Sequence, residues 1–131
     1  MFKLMPRIAE ALRETRGYTV WKTTYSIFAG KVHTPIPRLC LQELLQGPLK
    51  HIDCFVVCGV ETDMCVLSTV LAAVDLGYRV VIATDACGSS NEASGKLQLS
   101  HTMQRFDHQV ELGTVDEICA AANRKRKRKR Q

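Results

Sequence analysis

The sequence lacks the features of membrane and secreted proteins. No apolar run approaches the ~20 residues that a membrane-spanning helix needs. Lys3, Pro6 and Arg7 interrupt the N-terminal residues, so these do not form a secretory signal. We therefore expect a cytoplasmic protein with no membrane partner.

Aromatic residues are scarce, at 6%, whereas hydrophobic residues make up 46% and charged residues 24%. This balance is typical of a globular protein and excludes a disordered or collagen-like chain. With 131 residues the chain is long enough for one domain that buries roughly two-thirds of its unfolded surface. We expect no second domain.

The positive charge is concentrated at one end of the chain. Seven of the 18 basic residues form the run from Arg124 to Arg130, and without them 11 basic residues face 13 acidic ones. Because like charges repel and such a run buries no apolar surface, we predict a disordered basic tail over 123–131. Two interpretations stay open: a solvated terminus without a role, or a segment for weak polyanion binding or nuclear localisation.

The six cysteines do not predict disulfides or a metal site. Most of them lie within apolar segments and no secretory context is present, so reduced thiols are expected. Cys54 and Cys58 are four residues apart in a strand-like run, and a zinc site would need a second pair. We predict no metal and no cofactor.

The middle of the chain predicts a parallel sheet. Residues 54–60 form a nearly continuous apolar run, typical of a strand covered on both faces. Apolar residues at helical spacing follow until Gly77, and 79–83 is a second buried strand. A strand, helix and strand within about 30 residues form a right-handed crossover unit. The fold class is therefore α/β.

The other segments predict shorter elements. In chain order these are a helix over 5–12 that Gly17 ends, a strand over 18–21, a loop over 22–37, a helix over 37–45, a helix over 91–105, a strand over 109–112 and a helix over 114–122.

Candidate functional groups gather at the carboxyl ends of the predicted strands, where ligands bind in open α/β sheets. Lys22 follows the first strand, residues 61–65 follow the second, and Asp85 follows the third. Cys65 lies in the first turn of a helix, where the positive end of the helix dipole favours a thiolate. The alternatives are an inert buried thiol and, for Lys22, a solvated charge.

Two segments resemble the isochorismatase-like cysteine hydrolases. They are VCGVETDMCV at 57–66 and KTTYSIFAG at 22–30. Matching single residues follow, and the resemblance covers roughly 18–121. It implies a three-layer α/β/α Rossmann-like fold with a mostly parallel sheet, and a homo-oligomer. The domain implied spans residues 1–122.

The resemblance assigns roles to individual residues. It implies that Cys65 is the nucleophile and that Lys22 stabilises and orients its thiolate. Tyr25 and Phe28 are expected to line the substrate pocket, with ordinary packing as the alternative.

The resemblance also implies a cis peptide bond between Val60 and Glu61. The backbone N–H groups of Glu61 and Cys65 would then form an oxyanion hole. The implied reaction is hydrolysis of a C–N bond in a small amide or carbamoyl compound through a Cys65 thioester.

One part of the family pattern is absent. The resemblance implies an aspartate in an Asp-x-Gln segment at the end of a first strand. In this sequence, however, the only acidic residues before Lys22 are Glu10 and Glu14, which lie on a predicted helix. We therefore expect a member shortened at its N-terminus that lacks the family's first strands. Loss of a general base costs on the order of 10² to 10⁴ in rate.

Two functional hypotheses follow. The first is a cysteine hydrolase, with activity lowered by the absent aspartate. The second is a non-catalytic family remnant that acts through its sheet edges and its basic tail.

Overall fold

A parallel sheet with flanking helices forms the centre of the molecule. The structure, a computed structural model, describes residues 4–15, 17–29, 31–33 and 40–128. Its longer elements are α1 (Pro6–Thr15), β1 (Thr19–Trp21), β2 (Lys31–His33), α2 (Leu41–Gln46), β3 (Cys54–Val60), α3 (Leu67–Asp75), β4 (Arg79–Gly88), α4 (Glu92–Leu97), β5 (Val110–Gly113) and α5 (Val115–Arg128). Within this part of the chain, no helix is long and apolar enough to cross a membrane.

The three strands of this sheet run parallel in the order β3, β4, β5. Val80 of β4 lies opposite Phe55 of β3 on one side and Val110 of β5 on the other. The α3 helix makes the connection from β3 to β4. The predicted α/β class with a mostly parallel sheet is confirmed.

The core lies between the sheet and α3. Its buried members are Val66, Val70, Ala73, Val80, Ile82, Met103 and Val110. The α3 helix ends where the sequence predicted, because Gly77 adopts a φ of 84°, a left-handed conformation that costs glycine little. The N–H of Tyr78 then donates to the carbonyl of Ala73 at 3.0 Å.

The structure corrects the prediction that β3 is covered on both faces. Phe55 and Val57 pack against the core, but Val56 is 57% exposed and Val60 is 70% exposed. Among the described residues, β3 has a hydrogen-bonded neighbour only on the β4 side, and α5 packs on β4. The outer edge of β3 is therefore open, as expected for a sheet without the family's first strands.

A short hairpin replaces part of the loop predicted over 22–37. The chain forms a 3-10 turn at Ile27–Ala29, and β2 then pairs antiparallel with β1. A strand of three residues is too short to produce a recognisable period-2 pattern, so the sequence did not indicate it. Residues 34–39 lie outside the described part of the chain.

The helices predicted over 37–45 and 91–105 have different bounds in the structure. α2 begins at Leu41, because the carboxylate of Glu43 accepts a hydrogen bond from the N–H of Cys40 at 2.7 Å. The predicted start at Pro37 lies outside the described residues. The helix predicted over 91–105 is α4 followed by a π-helical turn at Gln98–Thr102 and a 3-10 turn.

The last helix continues beyond its predicted end at Ala122. α5 reaches Arg128, so residues 123–128 are helical in the structure, where the sequence predicts the start of a disordered basic tail. Lysine and arginine are good helix formers, and positive charge interacts favourably with the negative end of the helix dipole. The division into a domain over 1–122 and a tail stays a prediction, and 129–131 lie outside the described residues.

Candidate active site

A cavity of about 490 Å³ opens beside β3. β1, the turn at Ile27–Ala29, β3 and the start of α3 supply its walls. Much of its lining is apolar and includes Val20, Ile27, Phe28, Phe55 and Val57. Apolar cavities of this size with a few polar groups are typical of sites for small molecules.

Lys22 and Cys65 meet at this cavity. The Nζ atom of Lys22 lies 3.2 Å from the Sγ atom of Cys65, and it also donates to the carbonyl of Thr24 at 2.9 Å. Lys22 is exposed and Cys65 is half-buried. The contact joins the segment after β1 to the turn after β3.

The turn that carries Cys65 is fixed by the end of β4. Thr62 is 1% exposed, and its hydroxyl donates to the carbonyl of Gly88 at 2.9 Å. The hydroxyl of Ser89 donates to the carboxylate of Asp63. Each contact joins the β3 and β4 ends, so the position of Cys65 depends on both strands.

Glu61 adds a third contact to the same junction. Its carboxylate accepts hydrogen bonds from the backbone N–H and, at 2.8 Å, from the hydroxyl of Ser90. These bonds, the backbone one first, hold the pKa of the Glu61 carboxyl below its usual value. The ionised side chain is therefore directed to the 89–90 loop.

The segment that carries Lys22 is attached to α3. The N–H of Ile27 donates to the hydroxyl of Thr69 at 3.2 Å. The ring of Phe28 packs edge-on against Phe55, with centroids 5.8 Å apart, and is stacked on Tyr78 at 6.4 Å. This packing sets the distance between the Lys22 segment and the Cys65 turn.

The structure separates the two aromatic residues predicted for the pocket. Phe28 lines the cavity, whereas Tyr25 is 57% exposed and does not line it.

The peptide bond between Val60 and Glu61 is cis. Val60 lines the cavity next to Gly59, whose φ of 126° disfavours any other residue.

Asp85 does not join the site. Asp85 lies within β4, which continues to Gly88. The carboxylate of Asp85 accepts a hydrogen bond from the N–H of Val115 at 2.9 Å, and this bond caps α5. The acids of α1, Glu10 and Glu14, are exposed and do not line the cavity. Within the ranges that the structure describes, no group of three or more His, Cys, Asp or Glu side chains is placed to hold a metal.

Sequence reasoning missed the residues that support the site. Ser89 and Ser90 were not singled out, although they directly follow β4, at the edge where the other candidates gather. Thr69 is also not among the candidate site residues. Its role in holding the Ile27 turn needs a contact between segments 42 positions apart, which no local pattern reveals.

The sequence matches known proteins of one family. The Isochorismatase domain model matches residues 3–113. An uncharacterised isochorismatase family protein from Bacillus subtilis (strain 168) is 35% identical over 108 residues, which make up 82% of this chain and 54% of that protein.

Solved structures give the same result. An isochorismatase-like hydrolase from Alkaliphilus metalliredigens matches with a TM-score of 0.62 at 26% identity, over 92% of this chain and 53% of that one. A nicotinamidase from Bacillus subtilis also matches with a TM-score of 0.62 at 26% identity, over 83% of this chain and 57% of that one. The chain spans about half the length of these relatives. Since the family model covers most of the sequence, the chain belongs to the isochorismatase family.

Proposed function

We propose that this chain is a cysteine hydrolase that cleaves the C–N bond of a small amide or carbamoyl compound. The observation that carries the proposal is the 3.2 Å distance between Lys22 Nζ and Cys65 Sγ at an apolar cavity. The hydrolase and nicotinamidase among the similar structures support the same chemistry.

In the proposed reaction, the thiolate of Cys65 attacks the carbonyl carbon of the amide. The negative charge moves to the carbonyl oxygen, which the backbone N–H groups of Glu61 and Cys65 are proposed to bind. The C–N bond then breaks, and the nitrogen leaves as ammonia or an amine after taking up the thiol's proton. Water hydrolyses the thioester, which releases the acid and restores the thiol.

Proton transfer is the weak step of this site. Among the described residues that line the cavity, Lys22 is the cationic one and none is a carboxylate. Lys22 holds the thiolate in place, and the proton must travel through Lys22 or water. We therefore expect turnover about 10² to 10⁴ below that of a site with a positioned carboxylate base.

The test is release of ammonia from a panel of small amides, with nicotinamide included because one similar structure is a nicotinamidase. Cys65→Ala removes the nucleophile and is expected to abolish turnover, while Cys119→Ala, at an exposed thiol on α5, is expected to leave it unchanged. An acyl adduct on Cys65 in the mass spectrum is expected during turnover. Equal turnover by Cys65→Ala would contradict the proposal.

The second candidate is a non-catalytic family remnant. The open edge of β3 and the absence of a carboxylate from the described cavity lining favour it. It predicts that no amide is hydrolysed and that Cys65 reacts no faster than the other thiols.

A further inference from the structure

The C-terminal half of α5 carries a dense run of positive charge. Five of the seven consecutive basic residues, 124–128, lie within this helix. Its first half is anchored: the carboxylate of Glu117 accepts from the N–H of Thr114 at 2.8 Å, and Ile118 is half-buried close to Gly113. The basic half is therefore an extension of a helix that the fold already holds.

Four basic side chains of this extension are available to bind a partner. Arg124, Lys125, Lys127 and Arg128 are exposed, and among the described residues none of them forms an ion pair. Outside the run 124–130 the chain has 11 basic and 13 acidic residues. The attraction for an anionic partner is thus confined to this end of α5.

The arrangement of the charges distinguishes between anionic partners. Successive residues of an α-helix are rotated by about 100°, so the five consecutive basic positions 124–128 are spread around the whole circumference of the helix. A flat membrane surface would contact only some of them. Residues 123–131 also contain no apolar side chain, so the helix has no face that could enter a bilayer.

A groove with phosphates on both walls fits this distribution. The major groove of B-form DNA is about 12 Å wide and admits an α-helix. The major groove of A-form RNA is deep and narrow, and side chains cannot read it. A helix that is basic on all sides can contact the phosphates of both strands of DNA at once.

We propose that the C-terminal half of α5 binds duplex DNA in the major groove through phosphate contacts and without sequence preference. This inference does not depend on the hydrolase proposal, because no residue of the cavity takes part. Cys65→Ala is accordingly expected to bind DNA as the wild type does.

The first test measures fluorescence anisotropy of a labelled 20-base-pair DNA duplex with the full chain at several salt concentrations. Five to seven phosphate contacts predict a slope of log affinity against log salt of about −4.5 to −6.3. An RNA duplex of equal length and vesicles with anionic lipids are expected to bind at least about tenfold more weakly. Equal binding to RNA or to vesicles overturns the proposal.

The second test uses a matched pair of variants at Arg124, the start of the basic run. Arg124→Gln and Arg124→Pro both remove one charge, but only proline breaks the helix at this point. The glutamine variant is expected to bind DNA a few-fold more weakly than the wild type. The proline variant is expected to bind DNA at least about tenfold more weakly than the glutamine variant. Equal affinities would show that the run binds as an unstructured charge and would overturn the groove model.

Discussion

Lys22 and Cys65 are 43 positions apart in the sequence, and their side chains meet at 3.2 Å. At the scale of single residues, the proposed chemistry rests on this pair. Cys65 lies in the helical turn before α3, with the Lys22 ammonium group beside it. The other five cysteines are free as well, and within the described part of the chain none of them forms a hydrogen bond with a lysine.

Removal of the Lys22 charge is expected to lower the reactivity of Cys65. In Lys22→Met the thiolate loses its partner, so alkylation of Cys65 at pH 7 should slow by about tenfold or more. The control is Lys50→Met, which changes the net charge equally at an exposed lysine that does not line the cavity. Equal slowing in both variants would contradict a specific pair.

Glu61 gives a prediction on pH and stability. Hydrogen bonds from Ser90 lower the pKa of the Glu61 carboxyl in the folded state. The ionised carboxylate therefore stabilises the fold at pH values above the pKa of the unfolded state. This stabilisation is lost as the pH falls through the pKa of the folded state. Glu61→Gln is therefore expected to lower the melting temperature at pH 7 and to have little effect near pH 3. Glu10→Gln, on exposed α1, serves as the control.

At the scale of elements, the outer edge of β3 is the unusual feature. A strand edge without a neighbour exposes backbone hydrogen-bonding groups that can pair with another chain. Val56 and Val60 add exposed apolar surface on the same strand. This edge is the expected origin of any self-association.

A charge on β3 is expected to reduce that self-association. Val56→Lys places a solvated charge on the edge strand. It should raise the dissociation constant of the homo-oligomer that the resemblance implies by about tenfold or more in sedimentation experiments. Leu76→Lys, at an apolar residue of 42% exposure just after α3, is the matched control and should have little effect. If both variants associate as the wild type does, the β3 edge is not the interface.

The elements with strong apolar patterns could be predicted from the sequence. β3, α3 and the start of β4 follow directly from their apolar residues and from Gly77. The β1–β2 hairpin could not, because three residues give too little periodicity. The contact of Ser89 with Asp63 depends on where β4 ends, which lies beyond the predicted strand. The pairing of Lys22 with Cys65 followed from the strand-end rule and the family resemblance.

At the scale of the whole molecule, the chain spans about half the length of the relatives it matches. Among the described residues, no strand pairs with the outer edge of β3. A segment added before the chain, with an apolar strand ending in Asp-x-Gln as the resemblance implies, has two separate expected effects. Its strand would pair with the β3 edge and raise solubility. Its carboxylate would take the thiol proton and later activate water.

The two effects can be separated by one substitution in the added segment. A fusion with Asp at the motif should gain both solubility and amide hydrolysis, with turnover higher by about 10² to 10⁴. A fusion with Asn there should gain solubility only. Cys65→Ala in the active fusion should remove turnover. A soluble Asp fusion that hydrolyses no amide of the panel would favour the non-catalytic remnant.

The preparation of Cys65 as a nucleophile is tested by the alkylation rate of each of the six thiols in the wild-type chain at pH 7, mapped by mass spectrometry. Cys65 is expected to react fastest, although Cys58 and Cys119 are more exposed. Cys87 is expected to react slowly, because burial raises the pKa of that thiol. A rate for Cys65 no higher than those of Cys54 and Cys119 would contradict a prepared nucleophile.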